Sequence, residues 1–111
     1  MSECLFCRIA AKEIPSDRVD EGEEWFAFRD INPTAPTHIL IIPRKHFSTV
    51  NEIDGASAGR LVEAAKKIAA AEGLSEAGYR LVFNCQEGAG QSVFHVHLHL
   101  LGGRPMMWPP G

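Results

Sequence analysis

No stretch of this chain carries a long run of one charge, and none approaches the roughly 20 consecutive apolar residues a membrane-spanning helix needs. The first absence argues against a nucleic-acid polymer as partner. With 11 basic and 14 acidic side chains and a net charge of -3, there is no basic face to neutralise a phosphate backbone. A small anionic ligand stays open, because a few backbone N–H groups or neutral imidazoles can hold one. The second absence predicts no membrane partner. Met1 to Ala10 also lacks the basic start and long apolar run of a signal peptide and carries acidic Glu3, so a cytoplasmic location is expected. Cysteine is scarce and odd in number, at three. In a reducing compartment Cys4-x-x-Cys7 reads as a metal or redox element rather than a disulfide. Internal repeats, low-complexity tracts and Ser/Gly linkers are missing too. The 111 residues, 45% hydrophobic, should therefore form one domain, 1–111, whose core needs no disulfide staples.

Hydrophobic spacing gives the coarse order of elements. Cys4 to Ala11 predicts a short helix, ended near Ile14-Pro15 because a residue before proline avoids helical dihedrals. Trp25 to Phe28 reads as a strand. His38 to Ile42, rich in β-branched residues, reads as another after the turn-rich Asp30 to Thr37. Between Asp54 and Glu72, Ala58, Leu61, Val62, Ala65, Ile68 and Ala69 recur at three- and four-residue spacing, with Gly73 placed to stop the helix. Tyr79 to Asn84 and Phe94 to Leu101 complete the strands around a Gly-containing loop, Gln86 to Ser92. Residues 102–111, with three prolines and three glycines after the last strand, should be an irregular arm. Strands on both sides of one long helix predict an α+β domain with a largely antiparallel sheet.

The last strand carries the chemistry. His95-Val96-His97-Leu98-His99-Leu100-Leu101 alternates imidazole with aliphatic, so a strand would put His95, His97 and His99 on one face and the aliphatics in the core. Three readings compete. They are polar residues of a half-exposed strand, a metal site for which Asn84 to Leu101 offers only Glu87 as a carboxylate, or a covalent catalyst. In the third, a neutral imidazole attacks phosphorus, a nucleotidyl-histidine forms and water releases it. An unperturbed pKa of about 6.5 leaves much of an imidazole neutral at physiological pH, and neighbouring imidazoles can orient the nucleophile and pass a proton to the departing group. The loop Gly88-Ala89-Gly90-Gln91-Ser92 suits the same site, since glycine lets backbone N–H groups approach phosphate oxygens.

The run from His95 to Leu101 matches, at every position, the His-φ-His-φ-His-φ-φ motif (φ apolar) of the histidine-triad family. The chain resembles that family's nucleotide-binding branch over nearly its whole length, through Ile14-Pro15, Asp30-Ile31-Asn32-Pro33, Ala35-Pro36-Thr37-His38, Asn84, Gly90-Gln91-Ser92 and Trp108-Pro109-Pro110-Gly111. The resemblance implies the histidine-triad fold: a five-stranded sheet, one long and one short N-terminal helix, and a homodimer that joins two sheets into one. It implies hydrolysis of purine nucleoside phosphoramidates and aminoacyl adenylates, with no cofactor required for catalysis. His97 would be the nucleophile, with His95, His99, His38 and Ser92 in the catalytic set. Asp30, Ile31, Asn84, Gly90, Gln91, Ser92, His97, His99 and Trp108 would contact the purine nucleotide, Asp30 at the ribose and Ile31 along the nucleoside pocket. In this branch the tail reaches the partner's site and helps select the leaving group. Here Pro105 and Met107 stand where relatives offer Gln and His. The plainer alternative is an arm that covers a sheet edge.

Some bacterial members hold zinc with a Cys, Cys, His, His set, which by resemblance would be Cys4, Cys7, His46 and His95. Otherwise the two cysteines are small apolar residues on one helical face. A dinucleoside polyphosphate hydrolase is a rival reading, but such relatives usually carry glutamine where His99 stands. A nucleotide-binding scaffold with vestigial catalysis is the rival outside enzymes.

Overall fold

The computed structural model describes residues 3–111, so Met1 and Ser2 of the expected 1–111 domain lie outside the described residues. Its elements are α1 (Leu5–Ala10), β1 (Arg18–Glu21), β2 (Trp25–Arg29), β3 (Thr37–Pro43), α2 (Gly55–Ala71), β4 (Tyr79–Phe83) and β5 (Leu98–Gly102), with one 3-10 turn at Glu87–Ala89. The five strands form one antiparallel sheet in the order β1-β2-β3-β5-β4, the α+β architecture expected from the sequence. Among the described residues no helix is long and apolar enough to cross a membrane.

Strand β3 explains the layering. Its residues from His38 to Pro43 are all buried, so both faces of the sheet are covered. Ile39 and Ile41 point to α2 and pack with Leu61, Ala65, Ile68, Leu98 and Leu100. Leu40 and Ile42 point the other way, into a second cluster with Phe26, Phe28 and the α1 residues Phe6 and Ile9. Helix α2 starts on Asp54, whose carboxylate accepts the Ser57 N–H at 2.9 Å. It stops on Gly73 at φ +76, where Gly73 and Leu74 donate to the carbonyls of Ala70 and Ala69 in a Schellman turn.

Four expectations need correction. Strand β1 was not among the strands read from the residues: Arg18-Val19-Asp20-Glu21 is charged and bulged, as protected edge strands are, and leaves little hydrophobic pattern. Val62, expected on the apolar face of α2, is 36% exposed, and Ala64 takes the buried place. Gly102 belongs to β5, paired with Thr37 and Tyr79, so the irregular arm begins one residue later. The last strand starts at Leu98 rather than Phe94, because the Val96 N–H donates to the Phe47 carbonyl and leaves the ladder.

Candidate active site

The late start of β5 leaves only His99 of the three histidines on the strand, yet the alternation survives. Val96, Leu98 and Leu100 face α2, while Phe6 of α1 lies edge-to-face against both His95 and His97, and His97 lies against His99 with ring centroids 5.0 Å apart. On that second side of the sheet opens a cleft of about 500 Å³, inside the roughly 300–1,000 Å³ range of small-molecule sites. Asp30, Ile31, His38, Ser92, His97 and His99 all line it. Ile31, 87% exposed, stands at its rim.

Backbone groups settle the tautomers. His97 Nδ1 lies 2.8 Å from the His95 carbonyl, and a carbonyl only accepts, so Nδ1 carries the proton and Nε2 holds the lone pair. The Thr34 N–H donates to His38 Nδ1 at 3.1 Å, so the His38 proton sits on Nε2. That Nε2–H reaches His99 Nδ1 at 2.9 Å, which in turn leaves the His99 proton on its Nε2. His99 Nε2 is buried and finds no hydrogen-bond partner among the described residues. A buried donor without a partner is costly in a folded protein, and one on a ring that lines a cleft points to a ligand acceptor.

Every imidazole lining the cleft is held neutral. Burial pushes His97 below the ordinary histidine value, against the pull of the His95 carbonyl and the Asp30 carboxylate. Burial likewise lowers His38, against Asp30 at 3.5 Å. His99 is pushed down to about 4, by burial first and then by His97 and His38. Protonating the His38–His99 pair would force a proton onto a nitrogen that already faces a donor, which fits the same direction. This pair is thus a fixed, neutral hydrogen-bonded relay beside the cleft rather than a store of protons.

Several expected site residues lie elsewhere. His95 is 0% exposed and does not line the cleft; its Nε2–H donates to the Pro43 carbonyl at 2.7 Å, turning the Nδ1 lone pair toward Cys4 and Cys7. Gln91 is buried, with Nε2 donating to the Ser48 and Val93 carbonyls and Oε1 accepting from the Gln86 N–H. The N–H groups of Ala89, Gly90 and Gln91 are all bonded to carbonyls of Gln86 and Glu87, so these three donors are taken up within the loop. Asn84 and Gly90 do not line the cleft, and Trp108 stands 82% exposed away from it. Sequence reasoning missed the apolar wall of Leu5, Phe6, Ile9, Phe28, Leu40 and Val93, whose residue types carry no signal beyond ordinary core. It also missed Thr34, which acts through its backbone.

Cys4, Cys7, His46 and His95 converge, with ligand atoms all within 4.8 Å of one another. His95 Nδ1 is 3.1 Å from His46 Nδ1, 3.3 Å from Cys4 Sγ and 3.5 Å from Cys7 Sγ, and Cys7 Sγ is 3.4 Å from His46 Nδ1. Tetrahedral zinc with bonds of about 2.0–2.3 Å spaces its ligands roughly 3.3–3.8 Å apart, so these residues suit that ion in type and, to within about 0.2 Å, in spacing, with the His95 Nδ1 lone pair turned toward it.

The HIT domain family model matches residues 11–106. The purine nucleoside phosphoramidase of Escherichia coli K12 is 50% identical, over 94% of this chain and 90% of that protein. An uncharacterised HIT-like protein of Synechococcus elongatus is 48% identical over the whole of both chains. A HIT family hydrolase from Legionella pneumophila superposes with a TM-score of 0.95 at 57% identity, covering 98% of this chain and 100% of that one. Another from Clostridium thermocellum gives 0.91 at 45% identity, covering 96% of each. The three histidines, the sheet that carries them and these likenesses agree: the chain belongs to the HIT domain family of histidine-triad proteins and has the fold of its hydrolases.

Proposed function

We propose that this chain hydrolyses purine nucleoside phosphoramidates, and aminoacyl adenylates as a second substrate class, through a nucleotidyl-histidine at His97. The observation that carries the reading is the tautomer of His97. Its Nδ1–H is tied to the His95 carbonyl, so the lone pair is on Nε2 in a residue that lines the cleft and stays neutral. Nε2 attacks phosphorus, the P–N bond breaks, and the nitrogen leaves as the amine after taking a proton from solvent at the cleft mouth. Positive charge on the phosphorylated ring is met by the His95 carbonyl. His99 Nε2–H supplies a preorganised donor to the phosphoryl oxygens as charge builds there. Water then attacks the same phosphorus and releases the nucleotide.

The apolar wall of the cleft suits a purine, and Asp30 keeps acceptor capacity for a ribose hydroxyl although one oxygen already takes the Asn32 N–H at 2.8 Å. The similarity to a relative named as a purine nucleoside phosphoramidase supports the same substrate class. We also propose a homodimer, supported by the position of β4 at the sheet edge, by Val62 on the outer side of α2 and by Trp108 lying away from its own chain's cleft. Light scattering at the mass of one chain would refute it. Cys4, Cys7, His46 and His95 would hold zinc, which when bound supplies a structural crosslink. Metal analysis of protein prepared without chelators should then find about one zinc per chain.

The experiment for the activity is steady-state release of a fluorescent amine from its adenosine phosphoramidate by wild type and His97→Ala. Turnover by wild type alone is expected. Equal turnover by both would remove His97 as nucleophile, and no turnover by either, with AMP still bound, would favour a binding role.

A further inference from the structure

Helix α1 has six residues, too few to hold its shape by helix propagation alone. Two sets of contacts hold it. Phe6 and Ile9 bury into the cluster of Phe26, Phe28, Leu40 and Ile42, and on the other side Cys4 and Cys7 meet His46 and His95. His46 follows β3 and His95 precedes β5, so the four-residue cluster ties α1 to two neighbouring strands at the middle of the sheet.

The same turn of helix builds the cleft. Leu5, Phe6 and Ile9 all line it. Phe6 lies edge-to-face with His97, ring centroids 5.0 Å apart and planes at 83°, and edge-on to His95 at 6.0 Å and 70°. One ring, placed between the two cysteines in sequence, therefore touches both the nucleophile and a member of the cluster.

We propose that Phe6 is a positioning residue for His97, and that zinc on Cys4, Cys7, His46 and His95 holds α1 in register so that metal occupancy sets the affinity of the cleft for a purine nucleotide. The inference rests on the nucleotide and zinc readings above. With the ion present, the wall of Leu5, Phe6 and Ile9 is fixed from both sides. With it removed, α1 keeps its apolar packing and the Arg18 bond to the Ile9 carbonyl at 2.9 Å, but loses the crosslink to β3 and β5. The edge contact of Phe6 on the His97 ring is then held by apolar packing alone and is less firmly fixed.

The test compares the full chain as zinc-loaded and as stripped protein, with metal content by mass spectrometry, fold by circular dichroism and AMP affinity by calorimetry. Stripping should leave the sheet signal, weaken AMP binding about tenfold and be reversed by added zinc, which asks the crosslink for no more than an ordinary coupling between sites. Zinc binding without any change in AMP affinity overturns the coupling alone. A chain that takes up no zinc overturns the metal reading and the coupling with it. If stripping unfolds the chain, Phe6→Leu decides in the zinc-loaded protein. It should keep its zinc and its Tm to within a few degrees and lose kcat by about two- to tenfold, the span of one edge-to-face aromatic pair, with KM changed less. An unchanged kcat overturns the role of Phe6.

Discussion

Replacing His38 with phenylalanine tests whether the tautomer chain behind the triad matters. His38 is 6% exposed and joins two partners, accepting from the Thr34 N–H at 3.1 Å and donating to His99 Nδ1 at 2.9 Å. Phenylalanine keeps the ring and strands both partners, His99 Nδ1 in the interior and the Thr34 amide at a part-buried position. At roughly 1–3 kcal/mol for a stranded buried group, with the part-buried Thr34 amide at the low end of that range, the fold should lose about 2–4 kcal/mol. For a chain of this length each kcal/mol is worth about 4 °C, so Tm should fall by roughly 8–16 °C. The catalytic effect is separate. Without His38, His99 is free to move its proton to Nδ1 and turn a lone pair toward the phosphoryl oxygens, and losing one such donor costs about 10²–10³ in kcat. Because the donor serves the phosphoryl group, the loss should be similar for a phosphoramidate and for an activated nitrophenyl ester of AMP. His38→Gln, which keeps an N–H for His99, should recover to within about tenfold of wild type. A variant slow only toward the phosphoramidate would refute the argument and make His99 a proton donor to the leaving group.

The pH profile gives a second check. Burial holds His38 below its ordinary value and His99 at about 4, so the active neutral forms persist into acid. The kcat/KM profile should stay flat from pH 8 through the ordinary histidine value and fall only at more acid pH, and a midpoint at that ordinary value of about 6.5 would contradict the burial argument. Stability should follow the same sign. A histidine whose folded pKa is depressed contributes fully above its unfolded pKa and loses that contribution as pH falls toward the folded one, so denaturant midpoints should drop between about pH 6.5 and 4. Gln91→Ala should cost about 2–4 kcal/mol by stranding the carbonyls of Ser48 and Val93 and the Gln86 N–H, and should slow turnover by loosening Ser92; unchanged denaturant stability would show that the loop does not depend on it. Gly102→Ala would place a Cβ 2.6 Å from Leu74 Cδ1, so overpacking of about 1–3 kcal/mol should lower Tm by roughly 4–12 °C, and an unshifted melt would show that Leu74 has room to turn.

The sequence by itself determined the periodic parts. Three-four spacing from Asp54 to Glu72 marked α2, β-branched density marked β3, and the His-x-His-x-His run placed three imidazoles on the side of the chain away from Val96, Leu98 and Leu100. These signals are local, because helix and strand periods are properties of neighbouring residues. Tertiary structure decided what each imidazole does. His95, His97 and His99 look alike in the sequence, but carbonyls of Pro43 and His95 and the amide of Thr34 give them different protons and different work. Those partners lie 52 residues from His95 and, through His38, more than 60 from His99, and no periodicity reports them. The same holds for the inward turn of Gln91, which the resemblance set at the nucleotide and which the fold turns onto the Ser48 carbonyl. It holds also for Phe6, an ordinary core residue by type that becomes part of the site only because α1 packs on the face of the sheet beside the nucleophile. Periodicity comes from covalent geometry and is written residue by residue, whereas a proton's place on a buried ring depends on which donor or acceptor the folded chain brings to it.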